Sequence, residues 1–324
     1  MITASVIIPT YNYGRYICEA VSSVLAQTYS RARIEIIVVD DGSTDNTRAV
    51  LETFIQDGSI QYHWQANKGK ANATNFGIQL CQGEYIFNLD ADDYFLPEKI
   101  EEFVRVFEAY PNVVHVGSPA TFFNQETQAS GAEEFPADLV GKPINGNALL
   151  RRFYRDNILF GGGSTYAARS SALRAVRLDD AFDMYIDELL ILAVLLCGDS
   201  YLLAHPLSVW RIHQSNYSGA KATQEQQRRK AERLLRSSGA ILAYVEAHKF
   251  EEELRRIYRL KHATRTMAFA EAHTGKSLND ILRYARQVFV DIRPSWHVVR
   301  KYHVLNRLIP VPLFRALKKM KKTQ

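Results

Sequence analysis

The run Tyr85-Ile86-Phe87-Asn88-Leu89 ends in three acids within four residues, Asp90, Asp92 and Asp93. A short, largely apolar run bounded by a turn former reads as a buried strand. An open α/β sheet binds ligands beyond the carboxyl ends of its strands, which is where these acids would stand. Carboxylates that close repel one another unless a cation or hydrogen bonds compensate. Oxygen-only ligands favour Mg²⁺ or Mn²⁺ over zinc, and such an ion commonly carries substrate phosphates. The expectation is a site for a divalent cation and a diphosphate at the end of this strand.

The preceding residues alternate in the same manner. Ser5 to Pro9 reads as a first strand, and Tyr16, Ile17, Ala20, Val21, Val24 and Leu25 recur at helical spacing. Ile34 to Val39 is a second strand ending in Asp40 and Asp41, and Gly42-Ser43-Thr44 is a turn supplying an N-cap for the next helix. A strand at Ile60 to Trp64 leads through Asn67-Lys68-Gly69-Lys70 into a helix reaching Leu80. Pro97 suits the first turn of another helix, followed by a strand at Val113 to Val116. This βαβα order predicts a mostly parallel, doubly wound sheet. Residues 118–160 carry few signals, and Gly161 to Ser164 reads either as a loop whose glycines let the backbone approach a ligand closely or as a plain flexible loop. Asp187-Glu188 heads a buried helix, Leu189 to Leu196, with a strand at Tyr201 to Ala204. From Thr223 to Pro294 there is no proline and the spacing is helical, which predicts two or three helices.

Charge divides the chain at the same place. Residues 1–220 hold 16 Lys and Arg against 26 Asp and Glu; residues 221–324 hold 24 against 9. Two regions are expected, 1–220 as the ligand-binding body and 221–324 as a basic α-helical extension. Met1-Ile2-Thr3 runs straight into apolar residues with no basic n-region, and no apolar run approaches the ~20 residues of a membrane span. Cys18, Cys81 and Cys197 have no metal-ligand or disulfide spacing, so they read as small buried residues in a reducing cytoplasm.

Ser5-Val6-Ile7-Ile8-Pro9-Thr10-Tyr11-Asn12, Val38-Val39-Asp40-Asp41-Gly42-Ser43-Thr44-Asp45, Asn67-Lys68-Gly69 and Asp90-Ala91-Asp92, in that order, resemble family 2 glycosyltransferases of the GT-A fold. The resemblance spans about the first 220 residues, a domain-sized stretch. It implies inverting transfer of a sugar from a nucleotide sugar, usually UDP-linked, with Mn²⁺ or Mg²⁺ as cofactor. It further implies that Pro9, Thr10, Tyr11 and Asn12 pack on the nucleoside and that Asp41 accepts a hydrogen bond from the base. Asp40 would be a supporting acid. Asn67, Gly69 and Lys70 match a patch near ribose and diphosphate, with Lys70 either a phosphate contact or a solvated side chain. Where the family usually carries Arg this chain has Thr74. Asp90 and Ala91 would lie on the donor, and Asp92 would ligate the metal. Arg211-Ile212-His213, with Asn216 and Ser218, matches a segment whose His213 would be a further metal ligand or a diphosphate contact. Asp187 would be the catalytic base, with Glu188 as its rival; Ile186 stands where the family has Glu.

The implied partners are a nucleotide-sugar donor and a glycan or lipid-linked acceptor, as in cell-surface polysaccharide synthesis. The segment Leu305 to Lys322 mixes apolar anchors with cations, which suits either an anionic membrane face or a solvated tail. The expected location is cytoplasmic, with peripheral attachment to the inner face of a membrane. No nucleic-acid motif is present, so nucleic acid is not an expected partner. A nucleotidyltransferase would want a glycine-rich phosphate loop after the first strand, and Pro9-Thr10-Tyr11-Asn12 is not one. A non-catalytic nucleotide-sugar or glycan-binding module of the same fold stays open as the alternative.

Overall fold

The computed structural model describes residues 1–155, 162–176, 182–184, 186–213, 223–275 and 277–291. Gly161, Asn216, Ser218 and the segment Leu305 to Lys322 lie outside them. Contacts separate the described residues into two compact units, those within 1–150 and 159–221 and those within 151–158 and 222–324.

The first unit starts with β1 (Ala4–Thr10), α1 (Ile17–Leu25), β2 (Ile34–Asp40), α2 (Thr47–Gln56), β3 (Gln61–Trp64), α3 (Lys70–Leu80) and β4 (Tyr85–Asn88). β5 (Tyr94–Phe95), α4 (Lys99–Ala109) and β6 (Val113–Gly117) follow. The stretch with few sequence signals supplies β7 (Ala120–Asn124), β8 (Ser130–Ala132), β9 (Pro143–Asn145) and α5 (Gly146–Arg155), whose residues from Arg151 on belong to the second unit. Then come β10 (Tyr166–Arg169), α6 (Ser170–Arg174), α7 (Ile186–Leu195), β11 (Asp199–Leu202) and β12 (Ser208–Ile212).

Eight strands form one sheet in the order β3-β2-β1-β4-β10-β6-β11-β9. β3, β2, β1 and β4 are parallel neighbours, as are β6 and β11. β10 runs antiparallel between β4 and β6. The chain enters β10 beside the carboxyl end of β4, where Asp90 N–H donates to Ser164 Oγ (3.0 Å), and so runs back down the sheet. A second, four-stranded sheet has the order β5-β12-β7-β8.

Alternate residues of a strand face opposite sides, and β1 uses both. Val6 and Ile8 join Ile36, Val38, Ile17, Val21, Phe103 and Phe107 in one buried cluster. Ile7 faces the other way, against Gly77 of α3, where an added Cβ would meet its Cγ2. The sheet is therefore covered on both faces. From β1 to β2 to β3 the chain works outward to the sheet edge, and it then crosses back to place β4 on the far side of β1. The sheet thus has a switch point between β1 and β4, the place where open α/β sheets bind ligands.

Two local expectations change. Helix α2 starts at Thr47, and its N-cap, Asn46, makes no side-chain bond. Asp45 does that work: its Oδ1 accepts from Thr47 N–H at 2.9 Å. Of the three free cysteines only Cys81 is buried; Cys18 is half-buried and Cys197 exposed, because the chain leaves the buried helix α7 one residue before Leu196.

The second unit contains α8 (Gln224–Ala247), α9 (Glu252–His273) and α10 (Leu278–Asp291). Thr223 and Gln226 form a reciprocal capping box at the start of α8. Ile241, Val245, Ile257, Tyr258, Met267 and Tyr284 are buried at helical spacing. No helix among the described residues is long and apolar enough to cross a membrane.

Candidate active site

The loop after β1 and the loop after β2 are sewn together at the switch point. Asn12, with φ +59°, donates its N–H to Ser43 Oγ (2.9 Å), and its Oδ1 accepts from Thr44 N–H (2.7 Å). Pro9 and Thr10 are buried in β1, and Thr10 Oγ1 has no hydrogen-bond partner among the described residues. Tyr11 keeps 46% of its surface exposed. Asp40 turns inward and accepts from Ser43 N–H (2.7 Å) and Tyr62 OH (2.5 Å).

Asp41 is buried, with a carboxylate that accepts from Gln65 Nε2 (2.7 Å), Lys68 N–H (2.9 Å) and Gly69 N–H (2.8 Å). It thereby shapes the turn that opens α3. Gly69 sits at φ +92°, and a side chain there would also strike Asp183 Oδ1. Asn67, in the same turn, is exposed.

Beyond β4, ligand atoms of Asp90, Asp92 and Asp93 all lie within 4.8 Å of one another, and Ala91 between them is buried. Their surroundings divide the work. Asp93 Oδ2 accepts from Ser164 Oγ (2.6 Å) and its Oδ1 from Arg211 N–H (3.1 Å), so it anchors the loop to β12. Asp92 Oδ2 lies 3.2 Å from His213 Nε2. Burial, then the neighbouring Asp90 charge, pushes the Asp92 carboxyl up; burial, then Asp90 and Asp92, does the same at Asp93. Clustered oxygen donors held against their own repulsion suit a hard divalent cation.

Asp90 pairs with a cation of the protein itself. Lys70 Nζ lies 2.7 Å from Asp90 Oδ1 and 3.1 Å from Asp187 Oδ2. Lys70 opens α3 and Asp187 stands in the first turn of α7, so one ammonium joins two helix starts to the end of β4. Burial works against the charge on Lys70, but Asp187 and Asp90 outweigh it and raise its pKa well above the ordinary value. Burial pushes the Asp187 carboxyl up while Lys70 holds it down, for a net rise. Asp187 Oδ1 is buried without a hydrogen-bond partner among the described residues. Asp187, not Glu188, holds the lysine. Thr74, one turn along α3 from Lys70, is buried and brings no cation to the site.

Several site residues were not singled out from the sequence. Burial and the neighbouring acids, Asp92 first, raise the Tyr13 phenol, which hydrogen-bonds Asp92. Tyr16 stacks on His213, with ring centroids 4.6 Å apart, and carries the Arg211 guanidinium 5.1 Å from its centroid. The Tyr13-x-x-Tyr16 spacing was visible, but nothing local pairs it with a histidine about 200 residues on. Gly163 packs so closely that an added Cβ would overlap Asn88 Nδ2 and sit 2.8 Å from Asp187 Oδ1. It is therefore a close-packed wall of the site rather than loop slack.

Residues 5–177 match a family model described as glycosyl transferase family 2. The chain belongs to glycosyl transferase family 2. It is 36% identical over 238 residues to an uncharacterised glycosyltransferase of Nostoc sp., 69% of each chain. It is 46% identical over 99 residues to the glycosyltransferase GlyG of Streptococcus pneumoniae, a match spanning 30% of this chain and 32% of that one. Among solved structures, S. aureus TarS with UDP-GlcNAc superposes with a TM-score of 0.62 at 17% identity, over 94% of this chain and 84% of that one. The mannosyltransferase PcManGT of Pyrobaculum calidifontis, solved with GDP-Man and Mn²⁺, superposes at 0.55 and 17% identity, over 93% and 84%. At such identity the likeness bears on the fold, which is GT-A, as expected from the sequence. Membership in family 2 makes glycosyl transfer the reaction of this enzyme.

Proposed function

We propose that this family 2 enzyme moves a sugar from a UDP-linked donor to a hydroxyl of a glycan or lipid-linked acceptor, with inversion at the anomeric carbon. The observation that carries the reading is Lys70, whose ammonium joins Asp90 to Asp187 beside the Asp92–His213 pair. A proton acceptor, a cation and a metal-type carboxylate meet at the switch point of the sheet.

Tyr11 offers its exposed face to the nucleoside. Asp41 Oδ2 accepts one backbone bond, which leaves a lone pair for a base N–H. Support for a nucleotide-sugar donor comes from TarS, solved with UDP and with UDP-GlcNAc. Asp92 and His213 would hold Mn²⁺ or Mg²⁺, with the nitrogen ligand favouring Mn²⁺. Bound there, the cation would neutralise charge gathering on the departing diphosphate. Asp187 keeps Oδ2 on Lys70 and takes the acceptor's proton on Oδ1. The acceptor oxygen bonds to the anomeric carbon as the bond to the diphosphate breaks. The cation-rich, acid-free composition of residues 292–324 supports action at an anionic membrane face, where lipid-linked acceptors reside.

The test is release of free nucleotide from a panel of UDP-, dTDP- and GDP-sugars, with Mn²⁺ and with EDTA. Turnover of one donor should vanish with EDTA. It should fall by about 10² to 10⁴ in Asp187→Asn, the span of general-base contributions, and likewise in Asp92→Ala. Metal-dependent nucleotide binding without turnover, with glycan acceptors supplied, would overturn the reading in favour of a binding module.

A further inference from the structure

Helix α3 has two working faces. Its start presents Lys70 to Asp90 and Asp187. Its opposite stripe, Asn72, Asn75, Phe76 and Gln79, lies at helical spacing (i, i+3, i+4, i+7) and lines a cavity of about 390 Å³ with Trp64, Gln65 and Lys68. That volume lies within the ~300–1,000 Å³ of small-molecule sites. Trp64, the last residue of the edge strand β3, is 60% exposed, and Phe76 is 37% exposed. The two rings line the same pocket, so their exposed apolar surface lies together rather than scattered singly.

The chemistry of the lining selects the occupant. Two aromatic rings offer apolar faces. Four primary amides each offer donors and an acceptor. One cation, Lys68, lines the cavity, and no carboxylate does. A sugar ring matches this pattern, with an apolar C–H face for an aromatic and a rim of hydroxyls that both donate and accept. A nucleotide would bring two or more negative charges to one lysine. The amide wall is also partly fixed in place, because Gln65 Nε2 donates both to Asn72 Oδ1 (3.1 Å) and to Asp41 Oδ1 (2.7 Å).

We propose that the Trp64–Phe76 cavity is a second carbohydrate site, which takes a saccharide unit of the acceptor or product glycan outside the catalytic crevice. The inference rests on the reading of the enzyme as one that acts on glycans, but its test does not depend on turnover.

The experiment is saturation-transfer NMR on the full chain with glucose, galactose, mannose and N-acetylglucosamine oligomers of two to six units, with and without saturating UDP and Mn²⁺. At least one series should bind with UDP present. Binding should weaken roughly tenfold in Trp64→Ala, through the lost aromatic face, and measurably in Gln79→Ala, which is exposed on α3. UDP affinity by calorimetry should stay within about twofold in both variants, and its loss in Asp92→Ala reports separately on the catalytic reading. No binding by any oligomer at about 10 mM overturns the proposal, as does binding abolished by UDP or indifferent to both substitutions.

Discussion

Replacing Lys70 by methionine removes the ammonium that joins Asp90 and Asp187 and keeps most of the side-chain volume. At roughly 3 Å and an effective dielectric of about 20, Coulomb's law gives about 5 kcal/mol for each pair. The lysine side chain is 37% exposed, so solvent and the cost of ordering it cut this to about 1–2 kcal/mol at Asp187. That corresponds to about one pKa unit. The sign follows from which form the cation favours. Lys70 holds the Asp187 carboxylate ionised against burial, so its loss raises the pKa, and the base stays protonated to higher pH. The acid limb of kcat against pH, measured by nucleotide release at saturating donor and Mn²⁺, should move up by about one unit. Lys70→Arg should restore most of the shift. A limb that stays in place while the rate falls equally at every pH would refute the argument and leave Lys70 acting on the donor alone.

Three further outcomes follow from the same structure. Gly163→Ala should cut kcat by about a hundredfold, the cost of an ångström-scale misplacement, because its Cβ displaces Asn88 and crowds Asp187 Oδ1; UDP affinity by calorimetry should hold. Lys99 is fully buried on Ser208 Oγ (2.9 Å) between the rings of Phe95 and Phe103, and burial drives its pKa well below the ordinary lysine value. A depressed lysine costs stability as pH falls below the unfolded value, so denaturant melts should show wild type losing stability against Lys99→Met as pH falls below about 10, by up to about 1.4 kcal/mol per unit. His115, buried with Nδ1 on Ser200 Oγ (2.8 Å), has its pKa lowered to about 3 by burial. Stability should therefore fall as pH drops from about 6.5 toward 3, by up to about 1.4 kcal/mol per unit, and His115→Gln should lack that slope.

Strands and helices as far as β6, the two-residue β5 apart, were legible because their signal is local. Continuous apolar runs in β1 and β2, period 3.6 in α1 and α4, and a turn former at each boundary are all written within a few residues. The acids at the ends of β2 and β4 were legible for the same reason, since a strand that stops in carboxylates must present them at the sheet's end. Residues 118–160 were not legible. Their short strands β7, β8 and β9 owe their state to partners far along the chain, such as β12 beside β7, and propensity is weak there.

By itself the sequence determined which segments could be strands, which ends carried acids and which family's ordered motifs the chain resembles. The tertiary structure decided what those acids are for. It set β4 on the far side of β1 from β2, ran β10 back between β4 and β6, and gave one lysine to Asp90 and Asp187, residues 97 positions apart. It turned Asp93 inward to Ser164 and Arg211 and left Asp187 Oδ1 without a hydrogen-bond partner among the described residues. Such assignments depend on strand order and side-chain direction across the sheet, whereas the periodicity that a sequence displays reports only on near neighbours.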